Sequence, residues 1–311
     1  MKKLNLIMLL CLMGTLARAQ ELTIPTYTQY LADNPFIMAP AYAGIGENIK
    51  VRVNGLTQWV GIKDAPDNQS VSGDMRIGDR SGIGAFIYND KNGYTNQFGA
   101  KFSYAHHLTL NYKTDSFLSL GLSYNINTFR LDYEEFNGFD SSVTDDRKTI
   151  NHNFDVSALY RLNEFYISLN INNLLNKDLK IYATNEPGRL RNYQVYAGYV
   201  FKNNNDFEIE PSTYVQYFES DGRSTTDINV KFRKRDRENY YWAGVSYRFL
   251  NDQFMQPLNL GPMVGLKVNK FYFAYSYQVT INDFFGYNSG THMITLGLDI
   301  FQGPGECSCT L

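Results

Sequence analysis

Apolar and polar residues alternate along most of this chain. Between positions 117 and 127, leucine, tyrosine and isoleucine occupy even positions, whereas serine, glycine and asparagine occupy odd positions. The same period of two recurs at 165–172, 271–279 and 293–300. Successive side chains of a β-strand point to opposite faces of the sheet. The pattern therefore predicts strands that have one apolar face and one polar face.

Weaker copies of this pattern fill the intervals, and no helical period interrupts them. Fourteen strands are predicted, at 49–60, 68–77, 82–89, 96–109, 115–130, 152–161, 164–173, 190–201, 206–218, 225–234, 239–249, 260–268, 270–280 and 291–301. Many of these segments have the length of about ten residues that a tilted strand needs to cross a bilayer. The predicted fold class is therefore all-β, as a transmembrane antiparallel β-barrel of about fourteen strands.

The connections between the predicted strands alternate in length. Short connections lie at 78–81, 111–114, 162–163, 202–205, 234–238 and 269, and the longest ones at 131–151 and 174–189. Short periplasmic turns and longer outer loops are typical of outer-membrane barrels. A soluble β-sandwich gives no reason for this sorting. The even strand count predicts that both termini are periplasmic.

Charged residues within the predicted strands fall on the polar face. In a barrel this face lines the lumen, whereas a charge on the lipid face costs about 2–4 kcal/mol at the bilayer midplane. The main candidates for lumen charges are Arg52, Arg76, Lys101, Asp227, Lys231 and Arg248. The same face carries Lys50, Asp74, Asp155, Glu208, Glu210, Arg233, Lys267 and Asp299.

Composition and the ends of the chain complete the domain prediction. Residues 1–19 have the basic start, the apolar run and the Ala-Arg-Ala end of a signal peptide, which predicts export. The remaining boundaries are an N-terminal periplasmic or lumen segment at 20–48, an outer-membrane barrel at 49–301 and a periplasmic tail at 302–311. The chain contains 24 Tyr and 21 Phe, and tyrosines near strand ends suit the membrane interfaces. A formal charge of −2 argues against nucleic acid as a partner.

Residues 27–44 do not fit the strand pattern. They contain one charge, Asp33, and two prolines, each of which removes a backbone donor and restricts the residue before it. The segment is too apolar for a solvated linker, so we expect it to fold into the lumen as a plug, with its tyrosines against glycine-rich walls. The alternative is a periplasmic docking strip. The candidate residues are Gln29, Tyr30, Asn34, Pro35, Pro40, Tyr42 and Gly44.

Signals for catalysis are weak. The chain has no HExxH, GxSxG or phosphate-loop motif, and no cofactor is predicted. His106 and His107 are neighbours on one predicted strand and point to opposite faces, so a structural role is predicted for them and for His152 and His292. An outer-membrane hydrolase is a third, weaker hypothesis. Cys307 and Cys309 are a weak metal or redox signal, and their role stays open.

Several motifs occur in the order found in one family. They lie at 28–30, 34–35, 40–44, 58–61, 65–66, 82–84, 89–91, 104–108, 227–229 and 241–248. With Gly93, Thr95 and Asn96, this series resembles the PorP/SprF family of outer-membrane proteins, which serve type IX secretion and gliding motility. The resemblance covers nearly the whole exported chain. The Cys-Ser-Cys tail departs from the family pattern.

The resemblance implies an outer-membrane barrel without enzymatic activity. Implied partners are secreted cargo or a large surface adhesin with a C-terminal sorting domain, other type IX components including the periplasmic ring, and outer-membrane lipid. Some members hold one adhesin at the cell surface, and others connect to the ring. The alternative function is a solute channel of the fatty-acid-transporter or porin type.

Overall fold

The computed structural model describes residues 28–131, 147–175, 190–203, 206–253, 255–282 and 285–303. These residues form fourteen antiparallel strands, if Asn192–Tyr199 and Phe201–Asn203 are taken as one strand interrupted at Val200. In chain order the strands are β1 Asn48–Thr57, β2 Asp67–Arg76, β3 Ser81–Asn92, β4 Thr95–Asn111, β5 Ser116–Leu131, β6 Arg147–Leu162, β7 Phe165–Asn172, β8 Asn192–Tyr199 with Phe201–Asn203, β9 Phe207–Phe218, β10 Ser224–Asp236, β11 Asn239–Leu250, β12 Gln256–Val268, β13 Phe271–Thr280 and β14 Thr291–Phe301.

The strands close into a barrel. Each strand pairs with the next one along the chain, and β1 pairs with β14 from Asn48 opposite Phe301 to Thr57 opposite His292. The ring therefore has no free edge, which satisfies the backbone hydrogen-bonding groups inside the structure. No helix among the described residues is long and apolar enough to cross a membrane.

The barrel is apolar outside and polar inside. On β5, Leu120 and Leu122 are 46% and 48% exposed, whereas Ser123 and Asn125, which face the interior of the barrel, are 1% and 3% exposed. The outer faces of the other strands likewise form a belt of aliphatic and aromatic side chains, whereas their inner faces also carry buried apolar residues such as Trp242, Met263 and Tyr272. This arrangement reverses that of a soluble protein and suits a wall that faces lipid.

The predicted fold class is confirmed, and each of the fourteen predicted strands overlaps an observed one. The largest differences concern strand starts. β6 begins at Arg147 instead of 152, and β12 begins at Gln256 instead of 260. The extension of β6 has little apolar alternation, but it pairs residue by residue with the end of β5, from Leu131 opposite Arg147 onward. Pairing with a neighbouring strand, and not local sequence, determines where such a strand begins.

Two edges of the barrel are distinguished by their connections. The short-turn edge carries the connections at 77–80, 112–115, 163–164, 237–238 and 269–270, and the long-loop edge carries those at 58–66, 132–146 and 173–191, together with the two-residue turn at 93–94. After β14, the chain is fastened to the short-turn edge because Gln302 Nε2 donates to Arg76 O at 2.6 Å and Arg76 Nη2 donates to Gly303 O at 2.7 Å. The predicted signal peptide, Tyr27, Cys307 and Cys309 lie outside the described residues.

A lysine on the outer wall tests the membrane position. Leu122 lies at the middle of the apolar face of β5, so Leu122→Lys should destabilise the inserted barrel by about 2–4 kcal/mol. Leu110→Lys, at the short-turn end of β4, should cost about 1 kcal/mol or less because the ammonium reaches the headgroups. Denaturant titration of both variants folded into lipid vesicles measures the difference. Equal losses would contradict this placement in the bilayer.

Candidate functional site

Residues 28–44, called the inner segment below, lie within the barrel. They form three 3₁₀ turns at Thr28–Leu31, Pro35–Ile37 and Pro40–Tyr42. Pro35 and Pro40 each begin a turn, where a missing backbone donor costs nothing. Ala39 before Pro40 is extended, with φ −144° and ψ 129°, as a residue before proline prefers. The segment is therefore a chain of short turns instead of a fifteenth strand.

The inner segment hydrogen-bonds to seven of the fourteen strands. Its partners lie on β2, β4, β6, β7, β10, β11 and β13, as Ser72, Asp74, His107, Ser157, Asn170, Asp227, Asn229, Lys231, Arg233, Tyr240, Ser276 and Gln278. Rings of β8 and β9 contact it as well. Around the closed ring, no more than two adjacent strands separate one contacting strand from the next. The segment therefore crosses the interior.

Tyr30 is the aromatic centre of these contacts. Its ring stacks on Tyr214 at a centroid distance of 4.9 Å and meets Tyr196 edge-on at 5.1 Å. Its hydroxyl donates to Asp227 Oδ2 at 2.9 Å, and Arg248 Nη2 donates to the same oxygen at 2.6 Å. Burial, together with the Asp227 carboxylate, raises the pKa of the Tyr30 phenol well above its ordinary value. Tyr30 therefore remains a neutral donor.

Asp33 is the one charged residue of the inner segment. Lys231 Nζ and Arg233 Nη2 each donate to Asp33 Oδ1 at 2.7 Å, and the Tyr240 hydroxyl donates to Oδ2 at 2.7 Å. Burial would raise the pKa of the Asp33 carboxyl, but the two cations outweigh it and hold the pKa far below its usual range. The segment is thus tied to β10 and β11 by a carboxylate that stays charged.

Glycines of β3 and β5 let the segment approach the wall on the other side. A Cβ at Gly82 would lie 2.1 Å from Ala43 O, and one at Gly121 would lie 2.2 Å from Ala41 N. A Cβ at Gly84 would lie 2.3 Å from the Phe36 ring. The glycine contacts are thus made by alanines and a phenylalanine, whereas the sequence led us to expect tyrosines there. Tyr30 packs on aromatic rings instead.

His107 joins the wall to the segment through its imidazole. Nε2 lies 3.1 Å from Ala43 O, and Nδ1 lies 2.7 Å from Ser119 Oγ. A carbonyl oxygen can only accept, so Nε2 carries the proton and Nδ1 accepts from the Ser119 hydroxyl. His106, on the opposite face, contacts Ser81 Oγ at 3.1 Å. The two histidines therefore share no site.

The remaining predicted segment residues lie among the same contacts. Asn34 Nδ2 donates to Ser72 Oγ at 3.0 Å, and the Gly44 backbone donates to Asp74 Oδ2 at 2.9 Å. Gly44 has φ +73°, which favours glycine. Gln29 is buried, and Tyr42 packs against both apolar clusters of the interior.

The predicted lumen charges make ion pairs or hydrogen bonds in the interior. Arg52 Nη1 lies 2.6 Å from Asp299 Oδ1, and Lys101 Nζ lies 2.8 Å from Asp155 Oδ2. Arg248 pairs with Asp227, Lys231 pairs with Asp33, and Arg76 bonds the chain after β14. Asp33 itself was not among the candidate residues. Its position as the one charge in an apolar stretch was the sequence signal that could have identified it.

The described residues contain no group of three or more histidine, cysteine or acidic side chains placed to hold a metal ion. The interior contacts described above are hydrogen bonds, charge pairs and apolar packing. The contacts described above make the site a packed assembly between a segment and a wall.

Comparison with known proteins gives a family and a fold. A family model described as type IX secretion system membrane protein PorP/SprF matches residues 19–298. No curated protein matches the chain. Among solved structures, the CymD monoaromatic hydrocarbon channel is similar, with a TM-score of 0.54, 10% identity, and coverage of 86% of this chain and 91% of that one. The Pseudomonas putida toluene transporter TodX has a TM-score of 0.51, 8% identity, and coverage of 86% and 92%. At such identities the likeness extends to the barrel fold alone.

Replacing Asp33 tests the ion pairs. Asp33→Asn removes the carboxylate that lies 2.7 Å from Lys231 and Arg233, leaves them Glu210 at 3.9 Å and Glu208 at 3.1 Å, and should lower the free energy of unfolding by about 2 kcal/mol. Because the folded-state pKa is lowered, the stabilisation is full above the unfolded value of about 3.9 and is lost only at still lower pH. The difference in denaturant midpoint between the wild type and Asp33→Asn should therefore be constant between about pH 8 and about pH 5.

The exposed Asp64, whose nearest cation is 3.9 Å away, provides the control variant Asp64→Asn. It should leave the midpoint unchanged at both pH values. A difference between the wild type and Asp33→Asn that shrinks steeply above pH 5 would contradict the lowered pKa of Asp33.

Proposed function

The chain belongs to the PorP/SprF family of type IX secretion membrane proteins, and we propose that it acts there as a closed barrel that binds a secreted protein. In this proposal the barrel is an integral outer-membrane protein whose lumen is plugged by the inner segment. The short-turn edge faces the periplasm, and the long-loop edge faces outward and contacts a cargo or surface adhesin with a C-terminal sorting domain.

One observation carries the proposal. The inner segment meets seven strands by hydrogen bonds, and its residues Tyr30, Ala39, Ala41 and Ala43 are at most 2% exposed. Because the segment is so firmly packed, we expect the lumen to stay closed while the edges of the barrel contact other molecules. The connections at 132–146 and 173–191 on the long-loop edge contain more residues than any connection of the opposite edge.

The second candidate is a solute channel. The barrel shares its fold with the CymD and TodX channels, and a channel of that kind would need a path through or beside the inner segment. The contacts of Tyr30 and Asp33 weigh against a permanently open path, so we rank this function second. Liposome flux of a solute through the intact barrel would favour it over the first proposal.

Conductance tests the plug. Tyr30→Ala combined with Tyr42→Ala removes two rings from the interior and should raise single-channel conductance in planar bilayers at least severalfold. Tyr287→Ala is the matched control because Tyr287 is 76% exposed, and it should change nothing. Unchanged conductance in the double variant, with loss of a periplasmic partner from pull-downs, would support a docking strip instead.

Surface display tests the binding role. Deletion of the gene should abolish display of the partner adhesin, and tagged protein from the native envelope in mild detergent should recover that adhesin. Normal display in the deletion strain would overturn the proposal. Recovery of periplasmic ring components without a surface protein would assign the barrel to the core machine.

A further inference from the structure

An apolar groove crosses the outer wall where the ring closes. Its sides are two neighbouring rows of outward side chains on β12, β13, β14 and β1. Strand pairing aligns the first row as Val268, Phe271, Leu298 and Val51. The second row, two residues further along each strand, consists of Leu266, Phe273, Leu296 and Val53. The groove has a volume of about 520 Å³, which lies in the range of small-molecule sites.

The floor of the groove is the row of residues between these two. Tyr272 and Gly297 line it, and they are direct cross-strand neighbours. The Tyr272 side chain points into the barrel, where the Arg52 guanidinium lies over its ring at 4.4 Å. Arg52 is in turn paired with Asp299. These contacts hold the middle row inside, so its side chains do not fill the groove.

The spacing of the two rows limits what the groove can hold. Residues two positions apart in a strand are separated by about 7 Å. An α-helix with its side chains is about 10–12 Å wide and cannot enter between the rows. A single hydrocarbon chain is narrow enough to lie there. The shape therefore favours an acyl chain over a membrane helix of another protein.

The groove begins at the short-turn edge and rises into the wall. Val268 is the last residue of β12 and Phe271 is the first of β13, whereas Val53 is the sixth residue of β1. Strands of outer-membrane barrels are tilted by about 35–45°, so a groove that follows strand pairing is inclined to the membrane plane. Its end at β1 therefore lies in the hydrocarbon, and its end at β12 lies near the headgroups.

A lysine stands at the end of the groove near the headgroups. Lys270 lies in the turn between β12 and β13 and is exposed. Its ammonium is 6.0 Å from the centre of the Phe271 ring, which is part of one side of the groove. A lysine in this position places its stem along apolar surface and its charge in the headgroup layer. There it can attract a phosphate as a point charge.

We infer that the groove binds one acyl chain of a glycerophospholipid, whose phosphate lies at the Lys270 ammonium. The groove is part of the lipid-facing wall, so the chain enters it without leaving the bilayer. Hydrophobic burial does not distinguish the groove from surrounding lipid, and the preference comes from van der Waals contacts on three sides of the chain. The choice of a glycerophospholipid rests on the proposed orientation, in which the short-turn edge faces the periplasm.

Filling the groove tests the inference. The full-length barrel in detergent micelles is titrated with palmitoyl-oleoyl phosphatidylglycerol, and bound lipid is counted by native mass spectrometry. The wild type should bind one molecule more tightly than any further ones. Val51→Phe with Val53→Phe places two rings in the groove and should weaken that binding at least tenfold. The matched control Val230→Phe with Val245→Phe alters cross-strand neighbours outside the groove and should bind like the wild type.

The role of Lys270 has its own measurement. Lys270→Gln should weaken binding of phosphatidylglycerol severalfold and leave binding of dioleoylglycerol, which has no phosphate, unchanged. Lys113→Gln, in another turn of the short-turn edge, is the control and should change neither.

Three outcomes would overturn the inference. They are equal binding by the Val51 and Val53 double variant, equal weakening in the matched control, and a dimer of the wild type that the double variant lacks, which would assign the groove to a second copy of the chain. Micelles have no sides, so these measurements do not depend on orientation. Adhesin display tests the proposed function separately.

Discussion

The structure depends on one constraint, which is that no backbone polar group may face hydrocarbon unpaired. Pairing of β1 with β14 meets it by closing the ring. Once closed, a wall that shows apolar residues to lipid must turn its polar residues inward, and those residues need partners. The inner segment supplies several of them, since Ala43 offers its carbonyl to His107, the Gly44 amide donates to Asp74, and Asp33 pairs with Lys231. The wall and the segment therefore provide partners for each other's polar groups.

The inner segment is held by charge on one side of the interior and by shape on the other. Toward β10 and β11, the Asp33 carboxylate pairs with the buried cations Lys231 and Arg233, which Glu210 and Glu208 also approach. Toward β3 and β5, where glycines leave room, the segment offers alanines and its backbone approaches closely. A larger side chain at Gly82 would collide with that backbone, and a neutral one at Asp33 would remove the carboxylate closest to Lys231. The path of the segment is thus determined at both ends by different forces.

The sequence was sufficient for the barrel but not for the contacts inside it. Lipid on one side and a polar lumen on the other enforce a period of two, so the strands and the inward direction of Arg52 or Lys101 could be predicted. The interaction partners of these side chains could not be predicted, because they depend on closure of the ring. Asp33 and Arg233 are 200 positions apart in the chain and meet only when every intervening strand has its register. The strand starts at Arg147 and Gln256 were missed for the same reason.

The same packing bears on how such a barrel can take part in secretion. A polypeptide passing through the lumen would have to displace Tyr30 from two rings and Asp33 from two cations, and it would expose the wall residues that they satisfy. Contacts made at the edges or on the lipid-facing wall require no such displacement. A fixed inner segment therefore suits a barrel that positions other molecules. The contacts in its interior keep the segment rigid, and its outer surfaces remain available for binding.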